Sequence, residues 1–321
     1  MPGLRPFRAI MALTLALACG AAPMAVSAGE PTLTFTTLGT NSGPIASPTR
    51  SQPANLLRYG SQNILVDAGD GAVGQLARAG VAIDEVQTLI ISHLHFDHTG
   101  GLFALLGLRR QTLTTTPLTI YGPPGARRMV ADLMKALEPG VEVSATIVGR
   151  QAATDATVTV IEIDGPASFQ LGALKVSAVP NSHYATLKEN PEGHLSLSFR
   201  FDGPGRSILY TGDTGPSADV EKLCAGVDLL VSEIMDPAES IARLRAARPG
   251  VPGAIWMIVE AHFRREHLSP KAVADLARTC GAGALVLTHN AIADEYLDKA
   301  RATISAGYGG SVRFARDLDS F

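Results

Sequence analysis

The run Ser92-His93-Leu94-His95-Phe96-Asp97-His98-Thr99-Gly100-Gly101 constrains this chain more than any other feature. It ends a β-branched stretch, 88–92, that reads as a strand. In an extended chain, residues two apart point the same way, so His93 and His95 can reach one metal ion side by side. Asp97 and His98 sit just beyond, where the chain turns, and can point to a second. Imidazole nitrogen and carboxylate oxygen are the ligand set of catalytic zinc sites. A lone strand histidine would read as a satisfied core residue; four residues of ligating type within six positions do not. The three cysteines are too few for a four-thiolate zinc site or a disulfide scaffold.

Residues 1–28 read as a secretory signal peptide. Arg5 and Arg8 precede an apolar run, 9–18, too short to span a bilayer, and Val26-Ser27-Ala28 offers small residues for cleavage. A lipoprotein anchor at Cys19 is the alternative reading of this segment. The mature chain, 29–321, is then periplasmic or secreted, and no later apolar run is long enough to hold it in a membrane. Cys224 and Cys280 remain, and the sequence leaves open whether they pair. With 46% hydrophobic and 18% charged residues the chain can bury a sizeable core. Its net charge of −3 supplies no basic field for a polyanion, so the expectation is no nucleic-acid partner.

Strands are expected at 33–38, 64–67, 88–92, 118–121, 158–163, 174–179, 195–201, 207–211, 228–232, 284–288 and 312–315. Helical periodicity marks 73–79, 125–137, 217–224, 238–247, 270–280 and 294–305. Ser269 before Pro270 makes an N-cap and a first-turn proline, and Gly281 a stop. Together these give a single mixed α/β sandwich with sheets inside and helices outside. The stretch 239–265 is harder to place and reads as an insertion near the site.

The His-x-His-x-Asp-His run resembles the hallmark of the metallo-β-lactamase superfamily, and the likeness continues along nearly the whole mature chain. Val66-Asp67-Ala68-Gly69-Asp70 is similar to the family's first motif. Val179-Pro180-Asn181-Ser182-His183, Thr211-Gly212-Asp213 and Leu287-Thr288-His289 match its later ligand positions. The resemblance implies an αββα four-layer sandwich holding two Zn2+, with Mn2+ or Fe2+ as the other candidates. His93, His95 and His183 would hold one metal, Asp97, His98 and His289 the other, and Asp213 would bridge.

Leu38-Gly39-Thr40 followed by Arg50, and Pro117 to Pro123, resemble the ribonuclease Z-like branch, which includes class II cyclic-nucleotide phosphodiesterases and arylsulfatases. Glu233 closes a segment similar to that branch's His-Glu-Ala-Thr motif, with Ser232 in place of the histidine. His267-Leu268-Ser269 resembles its His-x-Ser/Thr motif. The resemblance implies that a metal-bridging hydroxide attacks, that Asp97 orients it, and that His267, oriented by Glu233, assists the leaving oxygen. Only 30 positions separate His183 from Asp213, with two expected strands among them, which leaves little room for a tRNA-gripping arm. The expectation is therefore an exported hydrolase of small-molecule phosphodiester or sulfate esters. A lactonase or other acyl-ester hydrolase is the alternative; a tRNA 3′-processing endonuclease and a non-catalytic metal-binding protein rank behind it. The branch often dimerises, so a homodimer is the oligomer to look for. His194 and His262 have no assigned role; Asn181, Ser182 and Tyr184 are candidates to touch substrate.

Overall fold

The computed structural model describes residues 32–148, 157–187 and 189–321. The expected signal peptide and Cys19 lie outside the described residues. Among the described residues, thirteen strands form two sheets, and each half builds one of them in the same way: an antiparallel meander first, then parallel strands joined through helices.

The first sheet has the order β1 (Thr34–Gly39), β2 (Ala54–Tyr59), β3 (Gln62–Ala68), β4 (Val86–Ile90), β5 (Leu118–Gly122), β6 (Val158–Glu162). Strands β1 to β3 pair antiparallel and β3 to β6 parallel. Along this half run α1 (Ala72–Arg78), α2 (Phe96–Thr99), α3 (Leu102–Gln111), α4 (Ala126–Ala136) and α5 (Glu138–Val148). The second sheet runs from β7 (Ala167–Leu171) through β8 (Leu174–Pro180), β9 (Leu197–Gly203), β10 (Arg206–Tyr210), β11 (Leu229–Ile234) and β12 (Ala284–Asn290) to β13 (Ser311–Phe314). Its helices are α6 (Ala218–Leu223), α7 (Pro237–Ala247), α8 (Gly253–Glu266), α9 (Pro270–Cys280) and α10 (Leu297–Gly307).

Three apolar layers hold these elements together. Phe35, Leu57, Ile64 and Val66 of the first sheet meet Phe199, Phe201, Ile208 and Tyr210 of the second. Leu56, Leu65 and Leu89, on the opposite face of the first sheet, pack with Leu76, Leu102, Leu105 and Val130 from the helices. On the far side, Leu230, Leu285 and Leu287 pack with Val220, Val273 and Ile304. Strand β11 is buried at every residue because both of its faces are covered, whereas β8 alternates because its outer face is not.

The caps expected for α9 are present: the Ser269 hydroxyl accepts from Ala272 N–H, Pro270 opens the helix, and Gly281 ends it at φ 61°. Strands β2 and β7 and helices α2, α3, α5 and α8 went unread in the sequence. Cys224 and Cys280 pair: the residue after α6 is bonded to the last residue of α9, with Cα atoms 5.2 Å apart. The two are 56 positions apart, so the bond removes about 4 kcal/mol of chain entropy from the unfolded state. The Cys224→Ala/Cys280→Ala double variant should lose about 2–4 kcal/mol in urea unfolding; an unchanged midpoint would show that the bridge contributes nothing.

Candidate metal centre

All seven of the His and Asp residues marked in the sequence converge at one edge of the sandwich. They come from the loop after β4 (His93 and His95), α2 (Asp97 and His98), the loop after β8, the loop after β10, and β12 itself. They divide into two groups. His93, His95 and His183 each bring one ring nitrogen to a common point, as do Asp97, His98, Asp213 and His289 through one atom apiece.

In the first group, His95 Nδ1 lies 3.1 Å from both His93 Nε2 and His183 Nε2. Neighbouring corners of a zinc tetrahedron with nitrogen bonds near 2.05 Å are about 3.3 Å apart, so this spacing fits a shared cation. In the second, Asp97 Oδ2 and Asp213 Oδ2 lie 3.3 and 3.2 Å from His289 Nε2. Asp213 Oδ1 lies 3.3 Å from His98 Nε2, yet neither atom has a hydrogen-bond partner although both are buried. Orphaned buried groups of this kind are costly unless something else satisfies them, and a cation would. Asp213 Oδ2 also stands 3.9 Å from His93 Nε2 and from His183 Nε2, which sets its carboxylate between the two groups.

The far ring nitrogens are held as well, which fixes which nitrogen faces inward. His183 Nδ1 is 3.0 Å from the Glu266 carbonyl. His98 Nδ1 is 2.8 Å from Asp67 Oδ2. His93 Nδ1 is 3.0 Å from Ser92 Oγ, whose hydroxyl donates to the same Asp67 oxygen. Ser92 N–H donates to Asp67 Oδ1 and the Tyr210 hydroxyl to Oδ2, at 2.7 Å each. Asp67 and His289 both hold left-handed backbone, φ 59° and 42°, a conformation that costs a non-glycine residue about 1–3 kcal/mol and clusters at functional sites. Close packing adds a steric requirement: a Cβ at Gly69 would run into the Asp97 carbonyl, and one at Gly43 into its carboxylate.

Burial pushes His93 and His183 well below the ordinary imidazole range, and lowers His95 too. These rings are neutral, as a metal ligand must be. Burial acts the same way on His98 and His289, but Asp213 and its neighbours outweigh it and hold both above the ordinary value. Burial opposes ionisation of Asp97 and Asp213, but the adjacent histidines prevail and hold both carboxylates low.

His267 and Glu233, far apart in sequence, also meet here. Glu233 closes β11 and His267 follows α8; His267 Nδ1 is 2.7 Å from Glu233 Oε2, while Glu233 Oε1 accepts from Thr214 N–H at 2.6 Å. Both are buried, so Glu233 is no surface acid. Burial drives His267 down to about 3. Its ring centroid is 4.8 Å from that of His183 and 6.1 Å from that of His289.

Other expectations separate. Asn181 accepts from His183 N–H and donates to the Thr211 carbonyl, and Ser182 pairs with Thr214, so both brace the loop. Tyr184 stands beside the first group, 5.3 Å from the His95 and His183 rings. His194 Nδ1 is bonded to the Pro124 carbonyl and belongs to none of the clusters. Sequence reasoning missed Glu266 and the hydroxyl of Tyr210, neither of which carries a local motif. The first loop and the 239–265 stretch come together around a cavity of about 240 Å³ lined by Gly43, Arg50, Arg243 and Phe263.

The β-lactamase superfamily domain matches residues 62–290. Ribonuclease Z of Mycobacterium avium (strain 104) is 30% identical over 288 residues, spanning 88% of this chain and 95% of the relative. Among solved structures, the metallo-β-lactamase fold protein YhfI from Bacillus subtilis superposes with a TM-score of 0.63 at 19% identity, covering 91% of this chain and 99% of its own. Human tRNase Z, short form, gives 0.60 at 24% identity, covering 90% and 98%.

These relatives correct two expectations. The reading as an esterase of small molecules, sulfate esters included, and the exclusion of a nucleic-acid partner are both overturned by relatives named for ribonuclease activity. The net charge misled because it sums the whole surface, whereas a metal centre meets a phosphate locally. The short His183–Asp213 spacing does hold a loop and the β9–β10 hairpin. The αββα architecture stands. With these clusters able to bind metal, the chain is a metallo-β-lactamase-fold hydrolase: it belongs to the β-lactamase superfamily, in its ribonuclease Z-like branch.

Proposed function

We propose that this protein is a dinuclear-metal phosphodiesterase that cuts RNA, with precursor tRNA as the first substrate to test and zinc as the first metal. The observation that carries the reading is the buried His267–Glu233 pair beside two groups of side chains able to hold a metal, with Asp213 of one group 3.9 Å from His93 and His183 of the other. The ribonuclease Z relatives and human tRNase Z support RNA as the substrate class.

The residues divide the work. His93, His95 and His183 would hold one cation, Asp97, His98 and His289 the other, with Asp213 between. Bound there, the cations supply Lewis acidity, lower the pKa of the attacking water and neutralise charge on the phosphate. Asp97, ionised and fixed by Gly43 N–H at 2.9 Å, orients that water and takes its proton. Burial holds the Glu233 carboxyl well above its ordinary value, so Glu233 carries a proton that it gives to His267 Nδ1 as His267 Nε2–H protonates the departing oxygen. Incubating the metal-loaded protein with a precursor tRNA should yield a single endonucleolytic cut; failure to cut any RNA under metal saturation would sink the reading.

His95→Ala should lose metal and activity together, read by elemental analysis. His267→Ala should retain metal and lose about 10²–10⁴ in kcat, most severely with poor leaving groups. Equal activity with wild type on an unactivated diester would remove the leaving-group role.

The two groups should also differ in their response to pH. His98 and His289 are raised in the metal-free fold, so their protons stabilise it below the unfolded value of about 6.5 and that contribution disappears as pH rises through their folded values. A cation must displace those protons, whereas His93, His95 and His183 are already neutral. Stepwise acidification should therefore empty the Asp97/His98/Asp213/His289 group first, passing through one metal per chain. Simultaneous loss of both metals during dialysis at stepped pH would contradict this.

A further inference from the structure

After β13 the chain crosses from the second sheet to the first. Ala315 N–H donates to the Leu287 carbonyl of β12, whereas Leu318 N–H donates to the Thr37 carbonyl of β1. Phe35 and Phe321 then exchange a pair of backbone hydrogen bonds, at 3.0 and 2.9 Å. Leu318 turns the corner in left-handed backbone, φ 71°, a conformation that a non-glycine residue keeps only where its surroundings enforce it. Asp317 sits at this crossing, half-buried.

Both oxygens of its carboxylate are taken. Oδ1 accepts from Thr40 N–H at 2.9 Å and from the Thr40 hydroxyl at 2.7 Å. Oδ2 accepts from Ser51 N–H at 2.7 Å and from Gln75 Nε2 at 2.8 Å. Thr40 and Ser51 are the two ends of the first loop, which Asn41 N–H closes on the Ser51 carbonyl at 2.9 Å. A single carboxylate thus clamps both ends of that loop. The loop in turn reaches the second group of candidate ligands by two routes. Gly43 N–H donates to Asp97 Oδ2 at 2.9 Å. The Thr40 carbonyl accepts from the N–H of Asn290, the residue after His289, at 3.0 Å. Arg50 Nη1 donates to the carbonyls of both Thr40 and Asn290, which holds the second route together. Neither route touches His93, His95 or His183.

We propose that Asp317 is a positioning residue: by clamping the first loop it presets Asp97 and His289, and so raises the affinity of the Asp97, His98, Asp213 and His289 group for its cation. This rests on the dinuclear reading above and is independent of the substrate. The test is a stepwise zinc titration of the metal-free protein, followed by equilibrium dialysis. Asp97→Asn marks the binding step that belongs to the second group. Asp317→Asn, of the same shape but with a single acceptor oxygen, should weaken that same step by about tenfold, the value of one hydrogen bond, and leave the other step unchanged. Thr40→Val, which removes only the hydroxyl's bond to Asp317, should weaken it by a smaller factor and supplies the reading if Asp317→Asn does not fold. Ser320→Ala, which cuts the link from the same segment to Thr36 and no contact of the loop, should match wild type in both steps. Unchanged steps in Asp317→Asn and Thr40→Val, a loss on the other step, an equal loss on both, or an equal loss in Ser320→Ala would overturn the proposal. A wild-type protein that takes up fewer than two zinc ions would instead bring down the dinuclear reading itself.

Discussion

The carboxylate of Asp67 is the interaction on which the rest of the site depends. It is buried at the end of β3 and accepts from Ser92 N–H, Ser92 Oγ, Tyr210 OH and His98 Nδ1. A charge so buried is sustained only by such a set of donors. Its partners come from both sheets, so one polar contact ties the halves where the apolar layer between them ends. Through His98 directly and His93 by way of Ser92, it also sets which nitrogen each ring turns inward. One histidine from each candidate metal-binding group is thus oriented by a single residue that belongs to neither group.

The remaining order follows from where parallel strands end. In both halves the chain leaves a strand, turns tightly and delivers a polar side chain to the same edge. The turns are close enough that Gly43 and Gly69 leave no room for a Cβ. Helix α8 then closes one side, bringing His267 onto Glu233 and Glu266 onto the His183 loop. The end of α8 and the loop that carries His183 are therefore one hydrogen-bonded unit, and a change in α8 is felt at His183.

Much of this was legible in the sequence because strand-end motifs are local. The spacing His93-x-His95-x-Asp97-His98 needs only the period of an extended chain, and helix α9 announced itself through Ser269, Pro270 and Gly281. Helices α3 and α8 were not legible. The leucines of α3 follow a Gly-Gly pair and mix with Gly107, and α8 exposes Ile255, Met257 and Ile258, which blurs its apolar stripe. Strands β2 and β7 lacked the β-branched runs by which the others were read. The inference of substrate class from net charge failed because charge is a property of the whole surface and phosphate binding is not.

The sequence by itself marked the candidate ligand residues, the order in which they are met, and the layered α/β class, because each depends on residue type and short-range period. Only the tertiary structure decided how the seven candidates divide, that Cys224 meets Cys280, that Glu233 is buried on His267, and that Glu266 meets His262. Each of those joins residues far apart along the chain or on a helix whose face the pattern left ambiguous. Their meeting is set by the packing of two sheets and their covering helices, which no local spacing encodes.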